Sequence, residues 1–138
     1  MRCNLRQVEE GDALLIFEQL REREGHLSRD QVYDAIADSV FTLVWTVDNC
    51  PGAVCGSRLA SMLDNRAYVW MLGTVLIDRY PVSFVRHSRR ALRCFTERFG
   101  QVYGEVRYDF AESERWLRWL GCDFISDEGK VKIWTRLL

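Results

Sequence analysis

The sequence predicts an α+β fold, a mixed and mostly antiparallel sheet with helices on both faces, in the order β-α-α-β-β-β-α-β-α-β-β. Three observations lead there. Three strand-like segments follow one another from Phe41 to Leu72 with only turn clusters between them. The stripe Val85, Leu92, Phe95 and Phe99 repeats at helical spacing and stands between two strand-like segments, which makes it a crossover between parallel neighbours. The chain then closes on a short helix and a strand–turn–strand pattern. Runs of strands broken by single helices give a sheet covered on both faces. With 138 residues the chain has room for one core, expected to span 1–138, and buries roughly 68% of its unfolded surface without metal or disulfide staples.

Each element has its own signal. Residues Cys3 to Val8 alternate polar and apolar, as a short strand does. After Glu9-Glu10-Gly11, Asp12 is placed to cap a helix through Leu14, Leu15, Phe17 and Leu20 that ends by Gly25. Ser28 and Gln31 have the spacing of a capping box, and Val32, Tyr33, Ile36, Ala37 and Val40 fall on one helical face behind it. Phe41 to Val47 is rich in β-branched and aromatic residues and meets the turn cluster Asp48 to Gly52. Ala53 to Met62 reads as a second strand with a bulge at Gly56, Asp64-Asn65 as a turn, and Ala67 to Leu72 as a central strand. Pro81 opens a helix that Gly100 stops. Gln101 to Tyr108 reads as a strand and Ala111 to Leu120 as a helix with Trp116, Leu117 and Leu120 inward, capped by Gly121. Phe124-Ile125 and Lys130 to Leu138 form a closing hairpin.

Composition removes several classes of function. Nineteen basic residues face twenty acidic ones, so a general affinity for nucleic acid is not indicated and any phosphate contact must come from a local cluster. Lysine occurs only at Lys130 and Lys132; arginine supplies the rest of the basic charge. Cys3, Cys50, Cys55, Cys94 and Cys122 form no C-x-x-C pair, and His26 and His87 lie far apart, which argues against a metal site or a disulfide framework. Cys50 and Cys55 read as structural, because a catalytic thiol needs a histidine beside it. No apolar run approaches the length of a membrane span or a signal core, so a soluble, reduced, intracellular protein is expected.

The succession of elements resembles the Gcn5-related N-acetyltransferase fold over nearly the whole chain. Leu5-Arg6-Gln7-Val8-Glu9-Glu10-Gly11-Asp12 is similar to that family's first strand and helix entry. Glu114 to Cys122 resembles its late helix, which ends in hydrophobic-x-x-x-Gly-Phe, with Cys122 at the phenylalanine. More narrowly, Tyr68 to Thr74 followed by Pro81 to Arg90 resembles the phage internal virion protein A-type group, a divergent branch of the same fold. The wider resemblance implies an acyl-CoA bound with its pyrophosphate on the N-terminus of the helix after the central strand, where backbone N–H groups and the helix dipole attract anions. The narrower one implies a phage or host protein as partner, a role in virion assembly, and residence in the host cytoplasm or the virion.

The family builds its pyrophosphate loop as Gln/Arg-x-x-Gly-x-Gly/Ala, the glycines letting backbone approach phosphate. Between Gly73 and Gly100 this chain has no glycine. The reading the sequence favours is therefore a phage-encoded protein of this fold that has lost its cofactor and acts through its surface, with no cofactor bound. The alternative is an active acetyl-CoA-dependent N-acetyltransferase on an amine of a protein or small molecule. Under that alternative the resemblance assigns cofactor contacts to Leu72, Gly73, Ser83, Arg86, Arg89 and Arg90. Backbone N–H groups at a bulge near Leu72 and Gly73 would polarise the acyl carbonyl. Arg86, Arg89, Arg90 and Arg93 share one helical side, which is a solvated outer face, a phosphate site or a protein contact. Glu105 is the candidate base for the amine, and Tyr108 or Tyr103 the donor to the leaving thiolate. Trp119, next to the inward positions, is either core or a contact surface.

Overall fold

The computed structural model describes residues 1–59, 66–107, 110–127 and 131–137. A seven-stranded sheet runs in the order β1-β2-β3-β4-β5-β7-β6. Its strands are β1 (Cys3–Arg6), β2 (Phe41–Val47), β3 (Cys50–Leu59), β4 (Arg66–Gly73), β5 (Gln101–Arg107), β6 (Asp123–Asp127) and β7 (Val131–Leu137). All neighbours are antiparallel except β4 and β5, which run parallel on either side of a crossover helix. The helices are α1 (Asp12–Glu18), α2 (Arg29–Ala37), α3 (Leu76–Arg79), α4 (Pro81–Phe99) and α5 (Ala111–Trp119), with a 3-10 turn over Glu22–Glu24. The predicted order holds, with that turn and the one-turn α3 as additions.

The strands of the middle of the sheet are buried on both faces, as β2 displays. Leu43 packs in the cluster of Phe95, Val102 and Leu117 beneath α4 and α5, whereas Val44 joins Ile16, Val32 and Val54 beneath α1 and α2. Trp45, Val47 and Ala53 form a third cluster with Leu76, Ile77 and Phe84, which seats the start of α4 on the sheet. The stripe read in α4 faces inward through Phe95, which is fully buried; Phe84 and Ala91 add to it.

Local details differ from the expectations where side chains found tertiary partners. Asp12 does not cap α1: Gly11 holds the cap position at φ 91°, and Asp12 is the first helical residue, buried. Its carboxylate accepts from both terminal nitrogens of Arg6, at 2.7 and 3.0 Å, and from the Glu9 N–H at 2.7 Å. The helix ends at Glu18 rather than Gly25 because Gln19 to Arg21 leave it to pair with the end of β4. The Ser28/Gln31 capping box is present in both directions. The turn after β2 is only Asp48-Asn49, both at positive φ, as a two-residue hairpin requires. Pro51 and Gly52 belong to β3. The bulge lies there, between Trp45 and Thr46 of β2 and opposite Gly52, not at Gly56. Gly56 instead lies flat under the indole of Trp70. The turn read at Asp64-Asn65 and the end of the strand at Met62 fall outside the described residues.

Candidate active site

Among the described residues β4 and β5 pair at Arg66–Gln101, Ala67–Val102 and Tyr68–Tyr103. Beyond Tyr68 they part. β4 stays in register with β3 as far as Gly73, and β5 with β7 as far as Arg107, so the sheet divides into two wings around a fork. A cleft of about 470 Å³ occupies the fork and is lined from both faces of the sheet.

Strand alternation decides what each face offers. Trp70 and Leu72 pack with the cluster under α1 and α2, and Tyr68, two residues earlier, shares that face. There its ring meets the Tyr103 ring edge-on at 5.6 Å, and Glu105 projects from the same side of β5, exposed. Val69 of β4 and Val102 and Val106 of β5 point the other way, toward α4 and α5. The α4 side of the cleft is apolar: Phe84 stands between Trp45 and Trp116 at 5.5 Å from each. The α1/α2 side is polar, with Arg21, Arg23, Glu24, His26, Tyr68 and Glu105 on its wall.

Tyr68 was not singled out in the sequence, although its place two residues before Trp70 on a central strand puts it on this face. Burial first, and the nearby Glu105 carboxylate second, push its phenol above the ordinary tyrosine range. A phenol so held stays protonated at neutral pH and can donate to an anion in the fork. Tyr103 reaches the same place by its ring contact. Tyr108, the other candidate donor, lies outside the described residues.

The cofactor-side residues are distributed differently from the expectation. No bulge opens at Leu72 and Gly73, where the β3–β4 register is continuous. The Gly73 carbonyl accepts from the Arg21 N–H at 3.1 Å, and Thr74 forms an isolated bridge with Leu20. Thr74 to Tyr80, which follow the central strand, contain the one-turn helix α3, where the Tyr80 N–H bonds the Leu76 carbonyl and the Arg79 N–H the Val75 carbonyl. At the first turn of α4, Val82 and Ser83 hold N–H groups that helix geometry leaves without intrahelical acceptors, while Pro81 has none to offer. The Ser83 hydroxyl turns inward, accepting from the Trp45 indole at 3.3 Å and lying 3.4 Å from His87 Nδ1. Arg86, Arg89, Arg90 and Arg93 are exposed on the outer face of α4. The Arg89 guanidinium stacks 4.0 Å above Trp119, which is 49% exposed, so these two residues join α4 to α5 at the surface. Arg79, just ahead of α4, adds a further exposed cation.

The remaining candidates are structural. Burial pushes the Cys55 thiol up to about 12, and Cys122 likewise, far from the range of a nucleophile. Among the described residues no three or more His, Cys, Asp or Glu side chains group as metal ligands, and no helix is long and apolar enough to cross a membrane.

No protein-family model and no curated relative matches this chain. Solved structures do. Ard1 from Thermoplasma volcanium superposes with a TM-score of 0.77 at 14% identity, covering 100% of this chain and 99% of that one. The PaiA N-acetyltransferase from Thermoplasma acidophilum, solved in complex with coenzyme A, gives 0.75 at 11% identity, covering 100% of both chains. The ribosomal-protein-S18-alanine N-acetyltransferase from Escherichia coli gives 0.71 at 13% identity, covering 97% of this chain and 92% of that one. The chain therefore has the Gcn5-related N-acetyltransferase fold, as the element order implied. The narrower resemblance to the phage internal virion group finds no support in these matches.

Proposed function

We propose that this chain is an acyl-CoA-dependent N-acetyltransferase acting on an amine. One observation carries the reading: the parallel strands β4 and β5 part beyond Tyr68 and Tyr103, leaving a cleft with an apolar wall on the α4 side and Glu105 with Tyr68 on the other. A cleft of about 470 Å³ has room for a pantetheine-like arm. The structure of PaiA with coenzyme A supports acyl-CoA as the donor by likeness of fold. The donor's phosphates would meet the N–H groups of Val82 and Ser83 and the guanidinium of Arg79, without a glycine cradle.

The residues divide the work by position. Glu105, exposed at the polar end, takes the proton from the acceptor ammonium, directly or through one water. The neutral amine attacks the thioester carbonyl, the C–N bond forms and the C–S bond breaks. Tyr68, kept protonated by burial and by Glu105, donates to the departing sulfur.

Calorimetric titration with acetyl-CoA, paired with release of free thiol in the presence of amines, tests this. Micromolar binding with Glu105-dependent thiol release is the expected result. The second reading is a scaffold without chemistry that binds a phage or host protein, for example in virion assembly. It is favoured by the α3 turn, where the N–H groups of Leu76, Ile77 and Arg79 are already bonded in the place of a phosphate loop. Absence of acetyl-CoA binding together with co-purification of a capsid or host protein would select it.

A further inference from the structure

A strap crosses the cleft on its polar side. One end is fixed to β4: Leu20 bridges Thr74, Arg21 N–H donates to the Gly73 carbonyl at 3.1 Å, and Val75 N–H donates to the Gln19 carbonyl at 3.0 Å. The other end is fixed beyond β5. There Arg23 Nη1 donates to Ser113 Oγ at 3.0 Å, and its guanidinium lies 4.4 Å from the centre of the Phe110 ring. Between the anchors Arg21 and Glu24, each with a side chain only 12% exposed, form an ion pair through Nη2 and Oε1 at 2.8 Å. The pair is half made. Arg21 Nε and Glu24 Oε2 are buried and have no hydrogen-bond partner among the described residues.

A buried charged donor and a buried charged acceptor left unpaired cost free energy that a ligand can recover. Both side chains line the cleft that holds Glu105. A cation alone would satisfy Glu24 and an anion alone would satisfy Arg21, and either would add net charge to a buried, neutral pair. A group carrying an ammonium and a carboxylate on one carbon satisfies both atoms and adds no net charge.

We propose that the Arg21–Glu24 pair receives the zwitterionic head group of a free α-amino acid as the acyl acceptor, its ammonium donating to Glu24 Oε2 and its carboxylate accepting from Arg21 Nε. The assignment rests on the acyl-transfer reading and names its substrate class. In the overall step the ammonium loses two protons, one to solvent by way of Glu105 before attack and one that ends on the departing sulfur. The amide C–N bond forms as the thioester C–S bond breaks, and the products are an N-acetyl amino acid and free coenzyme A. Arg21 and Glu24 act as specificity residues; the reacting atoms belong to the substrates, Glu105 and Tyr68, the phenol regaining from the attacking nitrogen the proton it gives to sulfur.

The test separates this assignment from transfer itself. The chain without acyl-CoA is titrated calorimetrically with each standard L-amino acid, with its amide and with the decarboxylated amine, while thiol release is followed in parallel with acetyl-CoA. At least one amino acid should bind about tenfold or more tightly than its amide and its amine, one charge-assisted bond being worth at least that factor. Arg21→Lys should abolish that preference, whereas Glu24→Gln should weaken acid, amide and amine alike because all three keep the ammonium, each with unchanged far-ultraviolet circular dichroism. Equal binding of acid, amide and amine, no binding of any amino acid, a preference that survives Arg21→Lys, or ammonium ligands bound as tightly after Glu24→Gln overturns the assignment, whether or not thiol is released. Zwitterion binding without thiol release from any amine would instead retire the transfer reading and leave the head-group site standing.

Discussion

Gly73 lies so close beneath Arg21 that a Cβ on the glycine would stand 2.8 Å from both Cζ and Nε of the arginine, and 2.5 Å from Ile77 Cδ1. The end of the central strand is thus fitted to the strap by the absence of a side chain. Overpacking of this kind typically costs ~1–3 kcal/mol. Gly73→Ala should lower the unfolding free energy by about 2 kcal/mol in urea, with an unchanged m-value. An unaltered midpoint would mean that the strap yields without resistance.

Replacement of Glu105 by glutamine keeps the shape and removes the basic carboxylate. Loss of a general base lowers turnover by a factor of about 100 to 10,000, and the effect should fall on kcat. The affinity for acetyl-CoA, measured by calorimetry, should be untouched. Retained turnover would move the base to another residue of the polar wall.

Tyr68 predicts an alkaline limb. Its folded-state pKa lies above the ordinary tyrosine value, chiefly because burial disfavours the phenolate, with Glu105 adding to it. A group with a raised folded pKa contributes stability that is complete below its unfolded pKa, near 10, and is lost as pH rises through the folded value. Urea denaturation between about pH 9 and pH 11 should show this decline in the native chain, and Tyr68→Phe should flatten it. A parallel decline in the variant would assign the titration elsewhere.

The Arg6–Asp12 pair has the opposite sign. Burial raises the Asp12 pKa, but the Arg6 hydrogen bonds and the Glu9 N–H outweigh it and hold the carboxyl below its ordinary value. Its stabilisation is present above the unfolded pKa, about 3.9, and fades as pH falls through the lower folded one. Asp12→Asn should cost about 2 kcal/mol at neutral pH, a typical value for hydrogen bonds to a charged partner, and less in acid. Guanidinium titrations at two pH values measure both.

Thiol reactivity gives an independent reading of burial. With Cys55 and Cys122 pushed up to about 12, alkylation by iodoacetamide at neutral pH should spare both in the native chain and label them only after unfolding. Peptide mass mapping distinguishes the sites. Rapid native labelling of Cys55 would show that the cleft wall opens to solvent.

The fold was legible because its signals were local. The Ser28/Gln31 box, the two residues Asp48-Asn49, the proline opening α4 and the stripe ending in Phe99 each declare an element within a few positions of sequence. What the sequence concealed depends on distant partners. Asp12 looked like a cap because nothing local reveals that Arg6 folds back onto it. Nothing local reveals that the Ser83 hydroxyl accepts from the Trp45 indole or that Arg89 stacks on Trp119. Glu105 could be placed on its face by alternation. Tyr68, Arg21 and Glu24 could not be joined to it, since the fork that assembles them arises from a parallel pairing only three residues long.

The lone bridge between Leu20 and Thr74 has a mechanical meaning. It splices the connector of the first two helices onto the exit of the central strand, so the two sides of the cleft share backbone hydrogen bonds. The amide protons of Arg21 and Val75, which form the splice, should therefore exchange with solvent together.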